Sequence, residues 1–126
     1  MNFLLEDNEK EFILKQKIGS GATCECYIGQ KKNEETPRVF AIKIIPQKYY
    51  HFYANELSIL VKLREHNNII KLYGYGQGFI TPIFNNEIDN NDKQIIFYLI
   101  LEYAENGELK DYVNGTYSRI PENISA

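Results

Sequence analysis

The chain has no tryptophan, one methionine, two histidines and two cysteines in 126 residues. Cys24 and Cys26 cannot form a disulfide framework. Two apart on a strand, they point to one face, and a bridge between such neighbours has poor geometry. No His/Cys group has the spacing of zinc ligands. Basic residues are in deficit, 14 Lys+Arg against 17 Asp+Glu, for a formal charge of −3. That balance argues against nucleic acid or a membrane surface as a partner. Long hydrophobic runs are also missing. The longest, Ile95–Leu101, falls well short of the roughly 20 residues that span a bilayer. The opening MNFLLEDNEKEF reaches acidic residues after one short apolar patch, unlike a signal peptide. Together these absences lead us to expect a reducing, cytoplasmic setting.

What is present has globular proportions: 44% apolar, 13% aromatic and 25% charged residues, the ten tyrosines giving the aromatics a polar edge. The length suits one compact domain. Residues 11–30 alternate as two strands around Gly19-Ser20-Gly21. Arg38–Ile45 is β-branched and apolar, a central strand by composition. Tyr50–Arg64 is expected to be helical, with Phe52, Glu56, Leu60 and Leu63 on one stripe. Ile69–Tyr75 starts a fourth strand. Thr81–Lys93 is polar, Asn-rich and aperiodic, an expected exposed loop. Gln94–Tyr103 is the strongest strand, and Glu108–Val113 could open a short helix. The order β-β-β-α-β-β, then a short helix, predicts an α+β fold: a five-stranded antiparallel sheet with one helix on a face.

Three features carry chemistry. Gly19-Ser20-Gly21-Ala22-Thr23-Cys24 fits a glycine loop whose backbone N–H groups could approach phosphate oxygens. Alone it is weak, since most such matches are ordinary turns. No Walker A pattern is present, and a strand rather than a helix follows, unlike a dinucleotide loop. Lys43 interrupts an apolar central strand, where an ammonium needs an anion. Glu56 sits in the middle of the helix stripe that must face the core. Most helical glutamates are merely solvated, but two opposite charges on buried faces can satisfy one another.

In register, these residues resemble the N-terminal lobe of the eukaryotic protein kinase family. Ile18–Cys26 resembles its glycine-rich loop, and Phe40-Ala41-Ile42-Lys43 its V-A-I-K strand. Glu56, 13 residues on, matches its αC glutamate. His66–Leu72 resembles the passage after αC, and Leu99–Leu109 the fifth strand, hinge and following turn. The resemblance implies a lobe over about 12–101, a hinge over about 102–107 and the start of a second lobe over 108–126. It implies ATP as cofactor and protein as substrate. Ile18 and Gly19 through Thr23 would lie over the nucleotide, Ser20–Thr23 covering the phosphates. Lys43 would pair the α- and β-phosphates, oriented by Glu56. Cys26 and Ala41 would roof the adenine, and Leu101 would be the gatekeeper. The Glu102 carbonyl and Ala104 backbone would bind the adenine edge, and Glu108 the ribose. Gly107-Glu108-Leu109 mildly favours the serine/threonine type.

Three departures stand out. Cys24 replaces the loop's third glycine. Cys26 replaces valine and puts an oxidisable thiol over the nucleotide. The 81–93 stretch is longer than a hairpin needs. Neither H-R-D nor D-F-G occurs in these residues, so no catalytic base or magnesium ligand of the family type is present. The expectation is therefore a catalytically inactive fragment whose magnesium and substrate chemistry need the missing second lobe. The alternatives are a regulatory or pseudokinase-like binding module, against which the Lys43–Glu56 match speaks, and a gene-model fragment without a fold of its own.

Overall fold

A computed structural model describes residues 1–35, 38–67 and 71–103. Its elements are β1 (Asn2–Asp7), β2 (Lys10–Ser20), β3 (Glu25–Lys31), β4 (Val39–Pro46), α1 (Tyr50–Asn67), β5 (Leu72–Phe84), β6 (Glu87–Ile88) and β7 (Gln94–Glu102). Short 3-10 turns at Gln47–Tyr49 and Asn90–Asp92 precede α1 and β7. Asn68–Ile70, Ala104, Glu108, the rest of the expected hinge, the expected short helix and the tail lie outside the described residues.

All strand pairs are antiparallel, in the order β1-β2-β3-β4-β7-β5-β6, and β1 also pairs with β5. That last pairing closes six strands into a barrel. The expected five-stranded α+β sheet is thus incorrect: among the described residues the fold is mostly β, a closed six-stranded barrel with one α-helix. The cause is the short apolar patch at the start of the chain, which forms a strand. Leu5 lies opposite Phe12 on one side and Ile80 on the other. The strand therefore covers two sheet edges whose N–H and C=O groups would otherwise be bare. Asn8, at φ 56°, makes the left-handed turn into β2, a conformation asparagine tolerates. Gly78 makes room for the closure: a Cβ there would lie 2.5 Å from the Glu6 carbonyl oxygen. The Tyr98 hydroxyl donates a hydrogen bond to the Asp7 carboxylate, tying β7 to the end of the closing strand.

The expected loop over 81–93 also needs correction. β5 continues to Phe84. Asn85 and Asn86, at φ 51° and 67°, then form the two-residue turn that twisted hairpins favour, leading into β6.

Closure divides the core in two. Phe40, Ile42 and Ile44 of β4 point into the barrel with Leu5, Leu14 and Tyr98. Ala41 and Ile45 point outward, into a second cluster with Leu99 and Leu101 of β7 and Tyr53 and Leu60 of α1. The period of two thus buries both faces of β4. Among the described side chains of α1, Tyr53, Glu56 and Leu60 are buried, while Phe52 and Leu63 of the expected stripe are half-buried. Tyr53 stacks on Phe97 at 4.6 Å, fixing the helix against the outer barrel wall.

Candidate functional site

The outer wall beneath α1 carries the charged residues singled out above. In β4, Lys43 shares its face with Ala41 and lies across from Cys26 on β3 and Leu99 on β7. Its Nζ donates to Glu56 Oε1 at 2.7 Å. The two side chains are 5% and 4% exposed. Each charge alone would pay heavily for leaving water, so close pairing is the condition for burying both. Helical periodicity sets Glu56 between Tyr53 and Leu60 on the face that meets the barrel, which brings the carboxylate to Lys43.

The glycine stretch is the β2–β3 turn. Gly19 pairs with Cys26 and Ser20 with Glu25, after register shifts that bend β2. At the tip the Gly21 N–H donates to the Cys24 carbonyl at 2.9 Å, so that N–H is engaged by the turn. Ser20, Gly21 and Ala22 are exposed, and Thr23 is buried. A brace supports the hairpin at the mouth of the barrel interior: Lys17 Nζ lies 2.6 Å from Glu25 Oε2, and the Tyr27 hydroxyl donates to Glu25 Oε1 at 3.0 Å. The Lys17 hydrogen bond holds the Glu25 carboxyl below its ordinary range, against a weaker opposing effect of burial.

Cys24 and Cys26 flank the ion pair. Burial pushes the Cys24 thiol up, and the nearby Lys43 ammonium partly opposes this through its charge and a hydrogen bond. Burial pushes Cys26 up to about 12. Both therefore remain thiols at neutral pH. Ala41 and Leu101 are 0% exposed and Cys26 is 2% exposed. Half-buried Ile18, Cys24 and Tyr103 pack on the same cluster. A flat ring could reach this apolar surface only after some of that cover moves. Glu102 is exposed, and its N–H donates to the Lys71 carbonyl at 3.1 Å. The structure thus gathers Lys43, Glu56, Cys26, Ala41, Leu101 and Ile18 on one wall, with the 19–24 turn at its end. Ala104 and Glu108 lie outside the described residues.

Two features escaped the sequence. Tyr53 is a buried part of the wall. Its signal was its place three residues before Glu56, on the same side of the helix. Cys24, read only as a glycine replacement, lies beside Lys43. The cavity next to the turn, about 410 Å³, opens among the barrel-interior side chains Phe3, Tyr27, Ile44 and Ile96. Lys43 does not line it, so the ion pair and this cavity lie on opposite faces of the barrel wall.

A family model described as protein kinase domain matches residues 12–125. The chain belongs to the protein kinase family. The match is to the N-terminal portion of the kinase domain, and the family uses ATP and protein substrates in general. No curated protein matches the chain. The kinase match starts at Phe12, so β1, the strand that closes the barrel, lies outside it. The residues present fit the phosphate end of the kinase nucleotide: an ammonium held by a carboxylate, near a turn with exposed backbone. Among the described residues no helix is long and apolar enough to cross a membrane.

Proposed function

We propose that this chain is the ATP-binding part of a serine/threonine protein kinase. The observation that carries the proposal is the buried Lys43–Glu56 contact of 2.7 Å. An ammonium held this way has a fixed position from which to meet an incoming anion. In this reading Glu56 orients Lys43, and Lys43 binds the α- and β-phosphates. The exposed turn from Ser20 to Ala22, with Thr23, closes over the phosphates, a role that backbone N–H groups in tight turns suit; the Gly21 N–H must first leave the Cys24 carbonyl to take part. Cys26 and Ala41 roof the adenine, beside the gatekeeper Leu101 and under Ile18 and Gly19. The Glu102 carbonyl and Ala104 backbone hold its edge, and Glu108 the ribose. ATP supplies the phosphoryl group.

The proposed organisation is a nucleotide lobe over about 12–101, a hinge over about 102–107 and the start of a second lobe from 108. The base that accepts the substrate hydroxyl proton, and the groups that hold magnesium, have no counterpart in these residues, so residues 1–126 alone are expected to bind nucleotide weakly and transfer nothing. The closed cover over Ala41 and Leu101 favours a second reading, a regulatory binding module without catalysis. The test is Lys43→Met in the full-length protein. The kinase reading predicts weaker binding of a nonhydrolysable ATP analogue and loss of peptide phosphorylation. Undiminished transfer would remove Lys43 from its role. Full-length protein that binds no analogue and transfers no phosphate would favour the binding module.

A further inference from the structure

The barrel has two mouths. The glycine turn borders one. At the other, the β1–β2 and β3–β4 turns meet the start of β5, around a cavity of about 330 Å³. Lys10, Lys31 and Arg38 line it, opposed by one carboxylate, Glu34. Phe40 and Tyr73 form apolar walls. The chain as a whole carries a charge of −3, so this local excess of positive charge runs against the overall balance. The three cations come from three separate strand ends, and all three are exposed. Among the described residues none of them forms an ion pair, whereas their neighbour Lys32 is committed to Glu11 at 3.7 Å. The Arg38 guanidinium lies 5.2 Å from the Tyr73 ring centroid and 5.7 Å from that of Phe40. Stacking on rings holds the guanidinium in place, while the N–H groups at its edge can still reach an anion. The volume is at the small end of ligand pockets, suited to one aromatic side chain with anions beside it.

We propose that this mouth is a second binding site, which takes an acidic peptide segment carrying one aromatic side chain. The ring lies against Phe40 and Tyr73, and carboxylates on either side meet Arg38, Lys10 and Lys31. Charge complementarity selects the acidic flanks, and the aromatic walls select the ring. The site is at the end of the barrel away from the glycine turn and does not depend on nucleotide binding.

The test uses the isotope-labelled 126-residue chain and amide NMR titration. The probes are acetyl-Glu-Phe-Glu-amide, its Glu-Ala-Glu and Lys-Phe-Lys analogues, and acetate. The proposal predicts saturable shifts at Lys31, Arg38, Tyr73 and Gly74 with the Glu-Phe-Glu peptide, at a Kd of about 1 mM or tighter. It predicts weaker binding of the alanine peptide and none of the basic one. Arg38→Gln, an exposed change that spares the core, should weaken binding about tenfold by removing a charge-assisted contact, with the rest of the spectrum unchanged. Absence of shifts at this mouth would overturn the proposal. So would equal binding by the basic peptide, equal shifts from acetate alone, or an affinity indifferent to Arg38→Gln.

Discussion

Breaking the Lys43–Glu56 pair one side at a time should cost far more than removing both charges. The side chains are 5% and 4% exposed and meet at 2.7 Å. Glu56→Leu leaves a buried ammonium without that carboxylate, and Lys43→Met leaves a buried carboxylate without that ammonium. Losing one partner of a buried pair typically costs about 3–5 kcal/mol. The double variant removes both charges and puts apolar groups of similar volume among Ala41, Leu60 and Leu99, an exchange that is often neutral or stabilising. Urea unfolding followed by far-UV circular dichroism suits a chain without tryptophan. With an m-value of about 2 kcal/mol/M, each single change should lower the midpoint by roughly 2 M. The double variant should recover most of that loss, giving a coupling well above 1 kcal/mol. Single variants within about 0.5 kcal/mol of the parent, or a double variant equal to the sum of the two losses, would refute the reasoning.

Other perturbations probe the rest of the molecule. Gly78→Ala places a Cβ 2.5 Å from the Glu6 carbonyl oxygen. It should cost about 1–3 kcal/mol and speed hydrogen exchange of the β1 amides; unchanged exchange there would count against the closed barrel. Alkaline pH should destabilise the fold. Cys26 is raised from 9.0 to about 12 and Tyr53 from 10.0 to about 12, both chiefly by burial. The unfolded chain therefore releases these protons first. Stability is full below about pH 9 and falls towards pH 12, by up to about 1.4 kcal/mol per pH unit per group. Cys26→Ala should flatten the first part of that fall in thermal melts. Among the described residues the buried Thr81 hydroxyl has no hydrogen-bond partner, so Thr81→Val should leave stability unchanged or raise it by about 1 kcal/mol, read as a higher melting midpoint.

The central strand and the ion pair could be read from the sequence because each broke a pattern that was otherwise clear. Lys43 interrupts a β-branched run, and Glu56 interrupts an apolar helical stripe. Each misplaced charge accounts for the other. The barrel could not be read, because its closing strand is only six residues long and turns acidic at once. Its partner segment in β5 contains Pro82, which ordinarily argues against a strand interior. The pairing of β5 with β7 ends at Ile80, so Pro82 has no ladder to disrupt on that side. Only contacts between residues far apart in sequence, Leu5 with Ile80 and Asp7 with Tyr98, make the closure visible. The resemblance to protein kinases also pointed to five strands, since it starts at Phe12 and takes no account of β1. The roof over the adenine was placed by resemblance alone. The burial of Ala41 and Leu101 is a tertiary property that no local pattern encodes.

In the proposed kinase reading the outer wall beneath α1, rather than the barrel interior, meets the nucleotide. An amide NMR titration of residues 1–126 with a nonhydrolysable ATP analogue tests it most directly. The shifts expected follow one weak isotherm at Ser20–Thr23, Cys26, Ala41, Lys43 and Leu101, and are lost in Lys43→Met. Shifts confined to Phe3, Tyr27, Ile44 and Ile96 around the interior cavity, or shifts on the wall that survive Lys43→Met unchanged, would contradict it.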